Sequence, residues 1–226
     1  MWTPDVPTPR PSAAMEDYLK AIHALGGATD RPVGTSELAA AMRVAARAAT
    51  NMGKTLATLG LVNHTHYHGV RLTLAGERIA LEVIRRHRLI ERYLQEVLGY
   101  GWDEVHDEAD RLEHVISERL EERMAVAMGN PTTDPHGDPI PSREGAFAAA
   151  PLAPLATLRP GERAVIGRVA SADPEKLRYL AAQGLVPGAT VEILERAPFG
   201  GLVRLRVGAD ERTVGPTIES NVLVDV

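Results

Sequence analysis

The sequence predicts a mainly α-helical chain that ends in a small all-β domain, and three observations predict it. Residues 15–74 run in the order helix, helix, short turn, helix, hairpin. Residues 75–126 carry apolar side chains at helical spacing over long stretches. From Leu158 onward the pattern changes to short β runs, RAVIGRV, TVEIL, GLVRLRV and NVLVDV, separated by Gly- and Pro-containing turns.

Taken in order, MWTPDVPTPRPSAA at the N-terminus is Pro-rich and lacks a signal peptide's apolar core, so residues 1–14 read as a flexible arm. Tyr18, Leu19, Ile22 and Leu25 set a helix over 15–26 that Gly26-Gly27 closes. Thr35 or Ser36 is placed to cap a helix through ELAAAM, with Glu37 in its first turn and Ala39 small enough for close packing. A break at Arg43-Val44 precedes a helix from Ala45 to Leu59, and Leu61–Leu74 read as two strands around His68-Gly69. Residues 15–75 therefore fit a winged helix-turn-helix, although a plain three-helix bundle accounts for the same helices. Residues 75–98 form one long helix and 102–126 one or two more, with Ser117-Glu118 as a restart. The Pro/Gly/Asp-rich connector 129–145 and an Ala/Pro linker, 146–156, follow. The segment 157–226 reads as a five-stranded β-barrel.

In a winged helix-turn-helix the last helix enters the major groove. Ala46, Arg47, Thr50, Asn51 and Lys54 are then its DNA-contacting residues, and Arg47 and Asn51 share a face one turn apart. Small neighbours such as Ala45 and Ala48 permit close approach. His66 and Arg71 of the hairpin are placed for phosphates or a minor groove. His64, His66 and His68 alternate on one strand face and suit a metal site or a polar wing; on an exposed hairpin the wing is favoured. Gly53-Lys54-Thr55 resembles the end of a phosphate-binding loop, but Ala48 stands where the loop needs glycine and the stretch lies within a helix.

HDEADRLEH, His106 to His114, is the richest stretch chemically. As a helix it places His106, Asp110, Glu113 and His114 within an arc of about 100°. Val105, Ala109, Leu112 and Ile116 occupy the adjacent arc. Upstream, His87 and Glu91 stand one turn apart, inside an apolar arc set by Ile79, Val83, Ile84, Ile90, Leu94, Val97 and Leu98. Imidazole and carboxylate are costly on packing faces. Two such helices suggest a metal site between them, the alternative being solvated pairs or satisfied core groups.

Composition narrows the chemistry. The 226 residues contain no Cys, which excludes disulfides, iron–sulfur clusters, cysteine nucleophiles and thiolate zinc sites, and fits a cytoplasmic protein. No apolar run approaches the roughly 20 residues of a membrane span. The net charge of −5 argues against nucleic acid, but its distribution does not. Lys and Arg against Asp and Glu give +2 over 1–75, −7 over 76–145 and 0 over 146–226. The acidic excess lies where cations would offset it.

With these segments in this order, the chain resembles the diphtheria-toxin-repressor family of metal-dependent bacterial transcription regulators. MEDYL at 15–19, RRHRLIERYL at 85–94, VHDEADRLEHVIS at 105–117 and GDPIP at 137–141 carry the resemblance, which extends over residues 15–226. LRPGE, LAAQGLVPG and APFGG resemble the SH3-like domain shared with ferrous-iron-transport accessory proteins. The resemblance implies a helical metal-binding and dimerisation domain over 76–145, a homodimer, and a palindromic double-stranded DNA operator. It places Asp17 with Asp110, Glu113 and His114 in a principal site, and His87, Glu91 and His106 in a second. The family's iron-responsive branch has Met and Cys at the positions of Asp17 and Asp110. Two carboxylates here imply Mn²⁺ as co-repressor of metal-uptake genes, with Fe²⁺ admissible and other divalent metals able to substitute in vitro. Lys20 departs from the manganese branch, which often has Glu there. Arg168 and Ser171 stand where the iron branch's barrel donates Glu and Gln. The rival readings are an iron-responsive member of the same family, a metal-binding accessory protein, and a metallohydrolase, for which the sequence offers no substrate pocket; it is read as no enzyme.

Overall fold

The computed structural model describes residues 11–27, 31–65, 69–148 and 151–225. It divides into two units, residues 1–84 and 85–226.

In the first unit, Ser12 starts helix α1 (Ala13–Gly26), its Oγ accepting from the Met15 amide. That bond satisfies one of the donors a helix leaves open in its first turn. Tyr18, Leu19 and Ile22 form its buried stripe, as their spacing predicts. Helix α2 (Thr35–Ala41) begins at Thr35 itself, with Gly34 as its cap and no side-chain bond, which corrects the expectation of a Thr35 or Ser36 cap. Val33 exchanges backbone hydrogen bonds of 2.8 and 2.9 Å with Val70, so the chain stays extended as far as Gly34 and turns helical one residue early. Arg43, in the left-handed region (φ 53°), makes the expected break before α3 (Ala46–Thr58).

Strands β1 (Val62–Thr65) and β2 (Gly69–Leu72) pair antiparallel, Val62 opposite Leu72. Gly69 has φ +98°, and a Cβ there would lie 2.1 Å from the Val33 carbonyl oxygen, so only glycine fits. Leu19, Ile22, Val33, Leu38, Leu56 and Val70 make one core with Ala80 of α4 (Leu74–Glu96). Each large aliphatic buried there contributes about 1.5–3 kcal/mol.

Helix α4 stops at Glu96, two residues short of the expected end. Gly99 (φ +74°) turns the chain and Tyr100 N–H bonds the Leu94 carbonyl, which leaves Val97 and Leu98 more than half exposed rather than in the apolar arc.

In the second unit, α5 (Val105–Leu112) buries Val105 and Ala109. Ser117 caps α6 (Glu118–Ala127), its Oγ accepting from Leu120, so the restart stands where the sequence puts it. Arg85 and Arg86 of α4 pair with the buried Glu121 of α6 at 2.8 and 3.4 Å.

The C-terminal domain is a six-stranded antiparallel sheet in the order β3-β8-β4-β5-β6-β7. Its strands are β3 (Leu152–Pro154), β4 (Arg163–Val169), β5 (Thr190–Arg196), β6 (Val203–Val207), β7 (Asp210–Val214) and β8 (Val222–Asp225). The sequence suggests five. The sixth, β3, lies in the stretch expected as a linker, where Leu152, Ala153 and Pro154 pair with Asp225, Val224 and Leu223. Helix α7 (Pro174–Ala182), capped by Asp173, and α8 (Pro216–Glu219) complete the domain. Trp102, from the turn before α5, is buried in the same apolar cluster as Leu155, Ile166, Leu177 and Val224.

Candidate metal centre and nucleic-acid interface

One turn of α4 and the two turns from His106 to Glu113, at the end of α5, bring five of the sequence-identified side chains together. His87 and Glu91 face α5 from α4 and are 7 % and 2 % exposed. His87 Nε2, Glu91 Oε1 and His106 Nδ1 stand 3.0 Å from one another on all three edges. On its other side, His87 Nδ1 donates to Glu113 Oε2 at 2.6 Å and lies 3.3 Å from Asp110 Oδ1. Glu113, fully buried, turns its second oxygen toward His114 Nε2 at 3.3 Å. Regular helix ends at Leu112, yet Glu113 keeps helical dihedrals (φ −58°, ψ −28°), so the helical frame reaches it. Asp110 and His106 are partly exposed, at 48 % and 37 % of their side chains, and form the open rim.

Electrostatics follow from this crowding. Burial disfavours a charged imidazole at His87, but hydrogen bonds to Asp110, Glu113 and Glu91 outweigh it and hold its pKa well above 6.5. Burial likewise disfavours ionised Glu91, while hydrogen bonds to His106 and His87 hold it below the usual carboxylate range.

Two residues of the connector enlarge this picture, and the ligand reading of the sequence missed both. His136 Nε2 donates to the Trp102 carbonyl at 2.8 Å and its ring stacks on the indole. Its Nδ1 lies 4.0 Å from both Glu91 Oε2 and Asp134 Oδ1. All three residues are buried. Burial first, then the charges of Glu91 and Asp138, push the Asp134 carboxyl well up. The segment DPHGDPIP reads as loop composition. The available signal was a histidine flanked two residues away on either side by Asp134 and Asp138. Gly137 allows the loop's position: a Cβ there would lie 2.0 Å from the Gly167 carbonyl of β4.

The sheet domain supplies a cation here in place of a ligand. Arg168 Nη2 pairs with Asp138 Oδ1 at 2.6 Å, and Ser171 Oγ accepts from the Asp173 amide. Among the described residues, no side chain of 153–226 belongs to a group of three ligand-type residues.

In the first unit, Asp17 is half-buried on α1 beside the buried Tyr18 and Leu19. On α3, Ala46, Arg47, Asn51 and Lys54 are exposed, Thr50 is half-buried, and Ala49, Gly53 and Leu56 face the core. The Gly53-Lys54-Thr55 stretch lies within this helix. Arg71 is exposed on β2, His64 is exposed on β1, and His66 lies outside the described residues.

A helix-turn-helix with a wing, followed by helices that gather imidazole and carboxylate, defines the class of metal-responsive DNA-binding regulators. Comparison with known proteins makes the assignment specific. Residues 12–70 match the iron dependent repressor N-terminal DNA binding domain, 73–142 its metal binding and dimerisation domain, and 153–226 the FeoA domain. The iron-dependent repressor IdeR of Mycobacterium leprae (strain TN) is 36 % identical over 167 residues, covering 69 % of this chain and 72 % of that one. The diphtheria toxin repressor of Corynebacterium diphtheriae is 31 % identical over 147 residues, 61 % of this chain and 65 % of its own. A manganese-dependent transcriptional repressor in complex with manganese superposes with a TM-score of 0.84 at 37 % identity, over 93 % of this chain and 99 % of that one. ScaR with bound Cd²⁺ superposes at 0.76 and 31 % identity, over 95 % and 99 %. The chain belongs to the diphtheria-toxin-repressor family of iron- or manganese-dependent transcriptional repressors. These are regulators and not enzymes, and the matched domains indicate DNA and a second copy of the chain as partners. Among the described residues no helix is long and apolar enough to cross a membrane.

Proposed function

We propose that Mn²⁺, in preference to Fe²⁺, is the co-repressor, with Asp110, Glu113 and His114, joined by Asp17 as the family resemblance implies, as the principal ligand set and His87, Glu91 and His106 as the second. The observation that carries this reading is the 3.0 Å triangle of His87 Nε2, Glu91 Oε1 and His106 Nδ1. Three potential donor atoms this close to one another would suit a shared divalent ion, which would take the place of the protons they now share. Around them the donors are oxygen and imidazole nitrogen, with no thiolate in the chain, which suits manganese. Glu113 links the two sets: its Oε2 accepts from His87 Nδ1 and its Oε1 lies 3.3 Å from His114 Nε2. A further ion position, sharing Glu91, would draw on His136 and Asp134, since the commitment of His136 Nε2–H to Trp102 leaves Nδ1 as a lone pair facing both carboxylates.

A bound divalent ion supplies positive charge that relieves repulsion among these carboxylates. The ion is read as the signal that sets the spacing of two winged helices across a homodimer. That spacing fits a palindromic operator whose half-sites lie about one duplex turn apart. Ala46, Arg47, Thr50, Asn51, Lys54, His66 and Arg71 form the DNA contact, and the regulated genes are those of metal uptake, in the cytoplasm. Coupling between ion and DNA is about 1–3 kcal/mol, a factor of roughly 5–150 in affinity. Register shifts in the ladder, at Ile166/Arg168 and Ile193/Glu195, support the SH3-like barrel expected of the C-terminal sheet, because a bulge bends its strand.

Competition between Mn²⁺ and Fe²⁺ for the metal-free full chain, read by operator retention, tests the preference. Mn²⁺ is expected to restore retention at the lower free concentration, and Glu113→Ala to respond to neither. A lower threshold for Fe²⁺ makes the protein an iron regulator, and a normal response from Glu113→Ala removes the assigned site.

A further inference from the structure

The polar side chains of α3 fall into two kinds. Thr50, Thr55 and Thr58 donate their hydroxyls back to the carbonyls of Ala46, Asn51 and Lys54, at 2.9, 3.1 and 3.0 Å. Those donors are spent within the helix. Arg47, Asn51 and Lys54 are exposed, and their side chains have no partner among the described residues. They stand at i, i+4 and i+7, one stripe opposite Ala49, Gly53 and Leu56. Arg47 is the second residue of α3, and the exposed residues on either side of it, Ala46 and Ala48, carry only a methyl group. In a helix-turn-helix the N-terminal residues of the reading helix meet base edges, and its later residues lie nearer the backbone.

We propose that Arg47 reads a guanine and Asn51 an adenine in each half of the operator, the two bases about two base-pair steps apart. This rests on α3 being the helix that enters the major groove. A guanidinium offers two parallel N–H groups to O6 and N7 of guanine, while a carboxamide accepts from N6 and donates to N7 of adenine. Four residues of α-helix advance about 6 Å, close to two steps of stacked base pairs at about 3.4 Å each. The alanines bring the helix axis near the groove floor, so both side chains reach bases and not phosphates. Lys54, a turn further along, offers a single charge to the backbone and carries no sequence information.

The test is selection from a randomised duplex by the full chain with saturating Mn²⁺, followed by titration of single-base variants of the selected site. The expected motif holds guanine and adenine two steps apart in each half. Replacing the guanine should weaken the parent by about 5- to 150-fold and leave Arg47→Ala indifferent. Replacing the adenine should do the same with Asn51→Ala. Arg47→Lys keeps the charge and should still lose the discrimination. If Arg47→Ala weakens every sequence equally and lowers the salt dependence by one contact, Arg47 holds a phosphate and the proposal fails while α3 remains the DNA helix. If Arg47→Ala/Asn51→Ala selects the same motif with undiminished affinity, α3 is not the reading helix and both ideas fall.

Discussion

The two polar surfaces of this repressor are built on opposite terms. On α3, Arg47, Asn51 and Lys54 stand in solvent with no partner among the described residues. Between α4 and α5, His87, Glu91 and Glu113 are buried and bonded to one another. The surface proposed to meet DNA costs little to keep exposed, because water satisfies it in the meantime. Groups proposed to receive an ion must be gathered in advance, and gathering like charges away from water is expensive without a cation. Removing a side chain should therefore change recognition on α3 and change order in the nest.

The largest effect expected belongs to His87, which contacts three carboxylates. His87→Ala should lower Mn²⁺ affinity by at least about 100-fold, measured by competition with a chelating dye, since even partners outside the coordination sphere are commonly worth 10- to 100-fold. An unchanged affinity would place the ion elsewhere.

Next comes a control within the same helices. Glu121→Ala leaves Arg85 and the buried Arg86 without their carboxylate, and should cost about 3–5 kcal/mol in denaturant unfolding. Mn²⁺ affinity of the folded fraction should not change. If it falls as in His87→Ala, the nest is not a separate functional unit.

Proton linkage separates the two surfaces more finely. Because the His87 pKa is raised, its charged form stabilises the metal-free fold fully below pH 6.5, and this contribution is lost as pH rises through the raised value. An ion at Nε2 competes with that proton, so Mn²⁺ uptake should release protons and strengthen as pH rises from 6.5. Calorimetry in buffers of different ionisation enthalpy checks this; zero release would mean that His87 is not a ligand.

The smallest effect expected is on α3. Lys54→Ala should weaken binding to all duplexes alike and reduce the salt slope by about one, as read by anisotropy at several salt concentrations. A loss confined to one sequence would make Lys54 a base reader.

Much of this contrast was legible in the sequence because it depends on helical spacing. His87 and Glu91 one turn apart, and His106, Asp110 and Glu113 along a second helix, needed only the α-helical period to be placed on facing sides. The exposed stripe of α3 followed from the same rule. Illegible were Asp134 and His136, which irregular backbone carries to Glu91 and which no periodicity governs. Val97 and Leu98 fitted the apolar period but lie past the turn at Gly99, where the period no longer applies. Strand β3 was hidden for another reason: Leu152–Pro154 is short and owes its form to pairing with β8, at the far end of the domain's sequence.

The claim on which the rest stands is that an ion in the nest governs DNA binding at α3. Operator affinity of the full chain, measured by anisotropy as free Mn²⁺ is raised from complete chelation to saturation, tests it most directly. A saturable gain of roughly 5- to 150-fold, abolished by His87→Ala, is the expected result. Equal affinity at both ends of the titration would contradict it.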